Sequence, residues 1–185
     1  MMWRTAEEII ADIKSGQPER VSEALETLEF HHDTLEPVAV PLLTAEMLAP
    51  FGDELPEEAA ARFCLLLDRY NKFEPAPERA DVERELALAA ARFGPSRLAL
   101  EASLVLKTAA DPALAVTRAL AAVAARGVKP AEAPHAANFV SYLLAGKAPV
   151  RAAAVQALKG WVGQPGLDEV YQYVAAELEE DERPA

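Results

Sequence analysis

From Pro149 the chain reads PVRAAAVQALKGW. Its residues Val150, Ala153, Ala154, Ala157, Leu158 and Trp161 recur at i, i+3, i+4, i+7, i+8 and i+11. That is the apolar stripe of one helix face. Proline at the start fits a first helical turn, where its missing N–H is no loss. Alanines at the centre of the stripe let a neighbouring helix approach closely, and Val155 adds apolar surface on a second side. Two sticky sides suit a helix that packs on a partner and on the next unit.

The same alternation of stripe and stop runs along the chain. Thr5-Ala6-Glu7-Glu8 forms a capping box ahead of Ile9, Ile10 and Ile13, and that helix should end near Ser15-Gly16. Pro18 opens a second helix, whose Val21, Ala24, Leu25 and Leu28 share one face. Asp33 or Thr34 is placed to cap a third, with Pro37 in its first turn and Pro41 deep enough to kink it or delay its start. Pro56 begins the next, striped by Phe63, Leu66, Leu67 and Tyr70, and residues 71–81 read as a loop. Helices are then predicted from Glu78 to Phe93, from Pro95, from Asp111-Pro112 to Gly127, and from about Ala131 to Gly146. The last two begin at Pro149 and near Pro165.

The expected fold is all-α, about ten helices of roughly 11–17 residues joined by short turns. The prolines also recur. Pro18, Pro56, Pro95 and Pro130 fall 38, 39 and 35 residues apart, and Pro77, Pro112 and Pro149 fall 35 and 37 apart. Two interleaved series of near-equal period predict a two-helix unit of roughly 35–40 residues, the signature of an α-solenoid. One helical-repeat domain is expected over residues 1–185: an acidic N-terminal third (1–60), repeats to 176, and an acidic tail (177–185).

The run Pro149-Val150-Arg151, then alanines with Val155-Gln156, then Ala157-Leu158, resembles the HEAT-repeat pattern in its short bacterial, PBS-lyase HEAT-like form. Pro18 through Val21 to Ala24-Leu25, Asp111-Pro112-Ala113-Leu114 and Pro95-Ser96-Arg97-Leu98 are looser echoes. Lys147-Ala148 departs from the family, which has an acidic turn there. The resemblance implies a right-handed α-α superhelix with a concave partner-binding face. It implies no particular activity, since the family hosts scaffolds, adaptors and a few enzymes.

Composition narrows the function classes. Hydrophobic residues make up 51%, much of it alanine, so the core must rely on closely approaching backbones. With a single cysteine, Cys64, no disulfide framework and no thiolate zinc site is available. The N-terminus carries acids where a signal peptide needs an apolar core, and no apolar run approaches the ~18 residues of a membrane span. A reducing cytoplasm is the expected setting, and the Arg, Ala and Pro usage points to a GC-rich bacterial genome. The net charge of −12 is uneven: 14 acids against 3 bases over residues 1–60, 9 against 14 over 61–167, and 7 against 1 beyond. Overall acidity disfavours nucleic acid, whose affinity comes from clustered Lys and Arg.

Candidate chemistry is thin. His31-His32-Asp33 is the one reactive-looking cluster, but a metal site needs three or four converging ligands, and the remaining histidine, His135, is about a hundred residues away. Its plain reading is a polar turn with Asp33 as a cap. Cys64, between Phe63 and Leu65, reads as a buried thiol. No phosphate loop, nucleophile elbow or selected carboxylate pair appears. Tyr173 falls off the stripe formed by Leu167, Val170, Tyr171, Val174 and Leu178, so it should be exposed, while Trp161, on its stripe, is expected in the core or as an end-cap. The central arginines are expected to pair with acids of neighbouring helices. The residues offered to a partner are His31, His32, Tyr70, Lys72, Arg151 and Tyr173, with no catalytic, cofactor or metal residues.

The function expected from these features is a non-catalytic protein-interaction module: scaffold, adaptor or regulatory subunit. The alternative is an acidic inhibitor- or immunity-type protein covering a basic partner. Less favoured is an enzyme on a HEAT scaffold, such as a DNA glycosylase or lyase, for which residues 61–167 are only mildly basic.

Overall fold

A computed structural model describes residues 4–31, 42–70 and 78–179. Among these residues the chain is helical throughout, with no strand. It forms α1 (Ala6–Ile13), α2 (Pro18–Phe30), α3 (Glu57–Tyr70), α4 (Arg79–Arg92), α5 (Ser96–Lys107), α6 (Pro112–Arg126), α7 (Ala133–Leu144), α8 (Ala148–Lys159) and α9 (Leu167–Glu179). Two 3-10 stretches, Ala45–Glu54 and Pro130–Glu132, complete it. The third helix expected near Thr34, with its prolines at 37 and 41, lies outside the described residues, as does most of the loop after Tyr70.

Local signals explain most boundaries. At α1 the Thr5 hydroxyl accepts from the Glu8 amide at 3.2 Å, and the Glu8 carboxylate accepts from the Thr5 amide at 2.7 Å. Asp111 accepts from the Leu114 amide at 3.0 Å and caps α6, with Pro112 in the first turn. The α6 C-terminus stops at Gly127, whose φ of 82° suits a residue without Cβ. Pro130 departs from expectation. It opens a three-residue 3-10 turn, and the proline inside the first turn of α7 is Pro134. Beyond Pro41 the chain winds as the 3-10 stretch Ala45–Glu54, not as regular helix. Pro50 lacks an N–H and Gly52 has φ 53°, ψ −135°, so α-helical hydrogen bonding cannot run through.

The helices pack in two rows. The first 3-10 stretch lies against α4, α4 against α6, and α6 against α8; in the other row, α2 lies against α3, α3 against α5, α5 against α7, and α7 against α9. Sequential neighbours α4 and α5, α5 and α6, and α7 and α8 join the rows, and α4 also meets α7. Alanine makes this crowding possible. Helix α4 buries Ala87, Ala89, Ala90 and Ala91 beside Val82 and Leu86, so several neighbours approach its backbone.

The expected stripes are the core. Val21, Ala24, Leu25 and Leu28 of α2 are fully buried, as are Phe63 and Leu66 of α3. In α8, Val150, Ala154, Leu158 and the following Trp161 are buried, while Ala153, Val155 and Ala157 pack against that core from its edges. Burying a side chain as large as Trp or Phe contributes roughly 1.5–3 kcal/mol over leaving it in water. The turn before α9 is held by a close backbone approach: a Cβ built on Gly166 would sit 2.0 Å from the Val128 carbonyl oxygen.

Candidate partner-binding site

The arginines in the middle of the chain meet acids or carbonyls of their own chain. Arg62 reaches from α3 to Glu29 of α2 at 2.8 Å and to Glu58 at 3.0 Å. Arg79 donates to Asp68 at 3.0 Å and to the Val105 carbonyl at 3.1 Å, so α4 is tied to both α3 and α5. Arg84 meets Asp81 and Glu85, and Arg97 faces Glu101 within α5. Arg92 pairs with Glu46 and faces Glu132 at 3.8 Å, while Arg126 grips Glu132 at 2.8 and 2.9 Å. Arg118 faces Glu83 at 3.8 Å, and Arg69 donates to the Glu29 carbonyl. With these contacts the described arginines of the middle are engaged by acids or carbonyls of their own chain.

Two carboxylates inside the wiring are shifted in opposite directions. Burial pushes the Glu83 carboxyl above the ordinary range, against the pull of Arg118 and Arg79. One of its oxygens is buried without a hydrogen-bond partner. For Glu132, burial also pushes upward, but the Arg126 hydrogen bonds, the Lys129 amide and the charges of Arg126 and Arg92 prevail, and its carboxyl is held below the ordinary range.

Of the residues offered to a partner from the sequence, those described, His31, Arg151 and Tyr173, are not brought together. His31 caps the C-terminus of α2, half-buried, its amide donating to the Thr27 carbonyl at 3.0 Å. His32, Lys72 and the Tyr70 side chain lie outside the described residues. The Arg151 guanidinium donates to the Leu144 carbonyl at 2.7 Å and the Glu177 carbonyl at 2.9 Å, clamping the ends of α7 and α9 to α8. Tyr173 is 61% exposed on α9. From α2 to α9 the row passes through α3, α5 and α7, so His31 and Tyr173 sit at its two ends. The segment expected as an acidic tail from 177 starts inside α9, where Glu177 accepts from the Ser141 hydroxyl at 2.6 Å.

Two concave surfaces carry more. The first is a groove of about 480 Å³ between α2 and the Ala45–Glu54 stretch. Its apolar lining comes from Pro18, Pro50, Phe51 and Pro56; its polar lining is Ser22 with Glu19, Glu23, Glu26 and Glu54. Glu19, Glu23 and Glu26 stand at i, i+4 and i+7, on the side of α2 turned from the buried stripe. Glu26 faces Arg62 at 3.7 Å. Glu19, Glu23 and Glu54 have no basic side chain within ion-pair distance among the described residues. The acidity of residues 1–60 was visible in the sequence. The groove was not, because its walls come from segments some thirty residues apart.

The second is a smaller hollow of about 260 Å³ between α3 and α5, lined by Ala61, Cys64, Leu65, Asp68, Arg97, Glu101 and Val105. Leu65 there and Leu100 and Leu104 of α5 are exposed. Cys64 is 2% exposed, and burial, helped by the Glu101 charge, pushes its thiol far above the ordinary range. Such a thiol is a packing element and not a nucleophile. Among the described residues no group of three or more His, Cys, Asp and Glu is placed to hold a metal ion. No described helix is long and apolar enough to cross a membrane. Comparison with protein-family models, with curated proteins and with solved structures returns no match.

Proposed function

We propose that the chain is a non-catalytic protein-interaction module, a scaffold, adaptor or regulatory subunit, whose two helix rows wind as a right-handed HEAT-like solenoid. The solenoid reading is supported by next-but-one helix packing along both rows and by the recurring proline period. The observation that carries the interaction reading is a contrast in charge wiring. The central arginines have acids or carbonyls of their own chain, whereas the groove beside α2 leaves glutamates unpaired over an apolar lining. An open groove of mixed acidic and apolar lining is suited to docking. The inhibitor- or immunity-type alternative draws on the same unpaired glutamates, which would face a basic partner.

The test is affinity capture followed by titration of the purified partner in a calorimeter. Wild type is compared with Glu23→Gln/Glu54→Gln in the groove and Leu65→Glu/Leu104→Glu at the α3–α5 hollow. One protein partner binding at about micromolar Kd or better, and lost on altering one of these surfaces, is expected. The reading fails if no purified protein titrates while the pure chain turns over a substrate.

A further inference from the structure

We infer that the groove between α2 and the Ala45–Glu54 stretch docks a lysine- or arginine-rich peptide segment that also carries an apolar side chain. This rests on the interaction reading above and names the chemistry of its partner. Glu19, Glu23 and Glu54 are exposed carboxylates with no basic side chain within ion-pair distance among the described residues. They do not stand on a bare surface. Pro18, Pro50, Phe51 and Pro56 give the same groove an apolar lining.

Charge of one sign against low-dielectric walls focuses the field, so cations are drawn in more strongly than to scattered surface acids. The linear arrangement also selects a shape. Seven residues of helix separate Glu19 from Glu26, about 10 Å along α2. An extended segment covers that distance in about three residues. Basic residues at alternate positions of such a segment would face the carboxylate row, leaving the side chains between them for the proline and Phe51 wall. The prolines also limit competing backbone hydrogen bonding along that wall, since they offer carbonyls but no N–H. A nucleic acid is repelled by these carboxylates, and a purely apolar helix would leave them facing it unpaired.

The experiment is fluorescence polarisation with the full chain and a labelled peptide of roughly ten residues carrying Lys and Arg at alternate positions with Leu and Trp between them. Two counterparts are measured beside it: one with Glu for every base, one with Ser for Leu and Trp. The basic, apolar peptide should bind. Glu23→Gln/Glu54→Gln should weaken it about ten-fold, and raising salt from about 0.05 to 0.5 M should weaken it further. The serine counterpart should bind more weakly and the glutamate counterpart not at all. Both substitutions are at exposed positions, so helical circular dichroism and the melting temperature should be unchanged. Equal binding of the glutamate counterpart or indifference to the groove substitutions would overturn the inference. If a captured partner ignores the groove but is lost with Leu65→Glu/Leu104→Glu, the interaction module stands and the basic ligand falls. If no protein titrates at all, both fall.

Discussion

Removing the Glu132 carboxylate should be among the costlier single changes in this protein. The residue closes the short 3-10 turn between α6 and α7. It accepts two hydrogen bonds from Arg126, at 2.8 and 2.9 Å, and a third from the Lys129 amide at 3.1 Å. It also faces Arg92 at 3.8 Å, whose Nε is buried without a hydrogen-bond partner. The carboxylate is 14% exposed, so water cannot replace these contacts freely. A bidentate, charge-assisted pair of this burial is worth more than a surface pair, and truncating it leaves two half-buried guanidinium groups facing each other's field. Hydrogen bonds to charged groups contribute roughly 1.5–3 kcal/mol each when their loss strands a partner. Partial exposure and relaxation reduce the sum, and Glu132→Ala should cost about 2–4 kcal/mol. Arg97→Ala removes an exposed i,i+4 pair at 3.8 Å and should cost no more than about 0.5 kcal/mol.

Urea unfolding followed by circular dichroism at several pH values measures both changes. The Glu132 carboxyl is depressed in the folded chain, so its stabilisation is present above the ordinary carboxylate pKa. It is lost as pH falls through that value towards the lower folded one. Wild type should therefore lose more stability on acidification than Glu132→Gln. If Glu132→Ala were no more damaging than Arg97→Ala, or if wild type and Glu132→Gln had parallel pH profiles, the keystone role would be refuted.

Glu83→Gln should behave in the opposite way. Its folded carboxyl is raised, so ionisation penalises the folded state as pH climbs through the ordinary carboxylate range, and the glutamine variant should gain on wild type between acid and neutral pH in the same urea series. Gly166→Ala should cost about 2–4 kcal/mol, because a Cβ meets the Val128 carbonyl and φ is 76°; a melting temperature equal to wild type would sink the close-approach argument. Cys64 should resist a disulfide reagent in the native chain and react fully in urea, and fast native labelling would contradict its burial.

What could be read from the sequence was whatever burial periodicity and capping chemistry write into neighbouring positions. Thr5 with Glu8, Asp111 with Pro112, and the stripe from Val150 to Trp161 each announce themselves within a few residues, and each is where it was expected. The 3-10 stretch at Ala45–Glu54 was hidden because Pro50 and Gly52 break the period that a stripe needs. Pro130 misled because a proline suits the first turn of a 3-10 segment as well as that of an α-helix. The groove and the Glu132 hub depend on which exposed or half-exposed side chains meet across distant segments. Exposed positions have no period imposed on them by burial, so the sequence is silent there.

Next-but-one packing also decides how far a local injury travels. A helix at either margin of the two rows leans on one flank only, whereas α4 is gripped by the first 3-10 stretch, α5, α6 and α7 together. Damage to α9 is felt first by α7, and reaches the walls of the acidic groove either through α5 and α3 to α2 or through α4 to the first 3-10 stretch. On the shorter route α7 and α4 stand between α9 and the groove, and an alteration near the C-terminus must displace both before it changes the groove's shape.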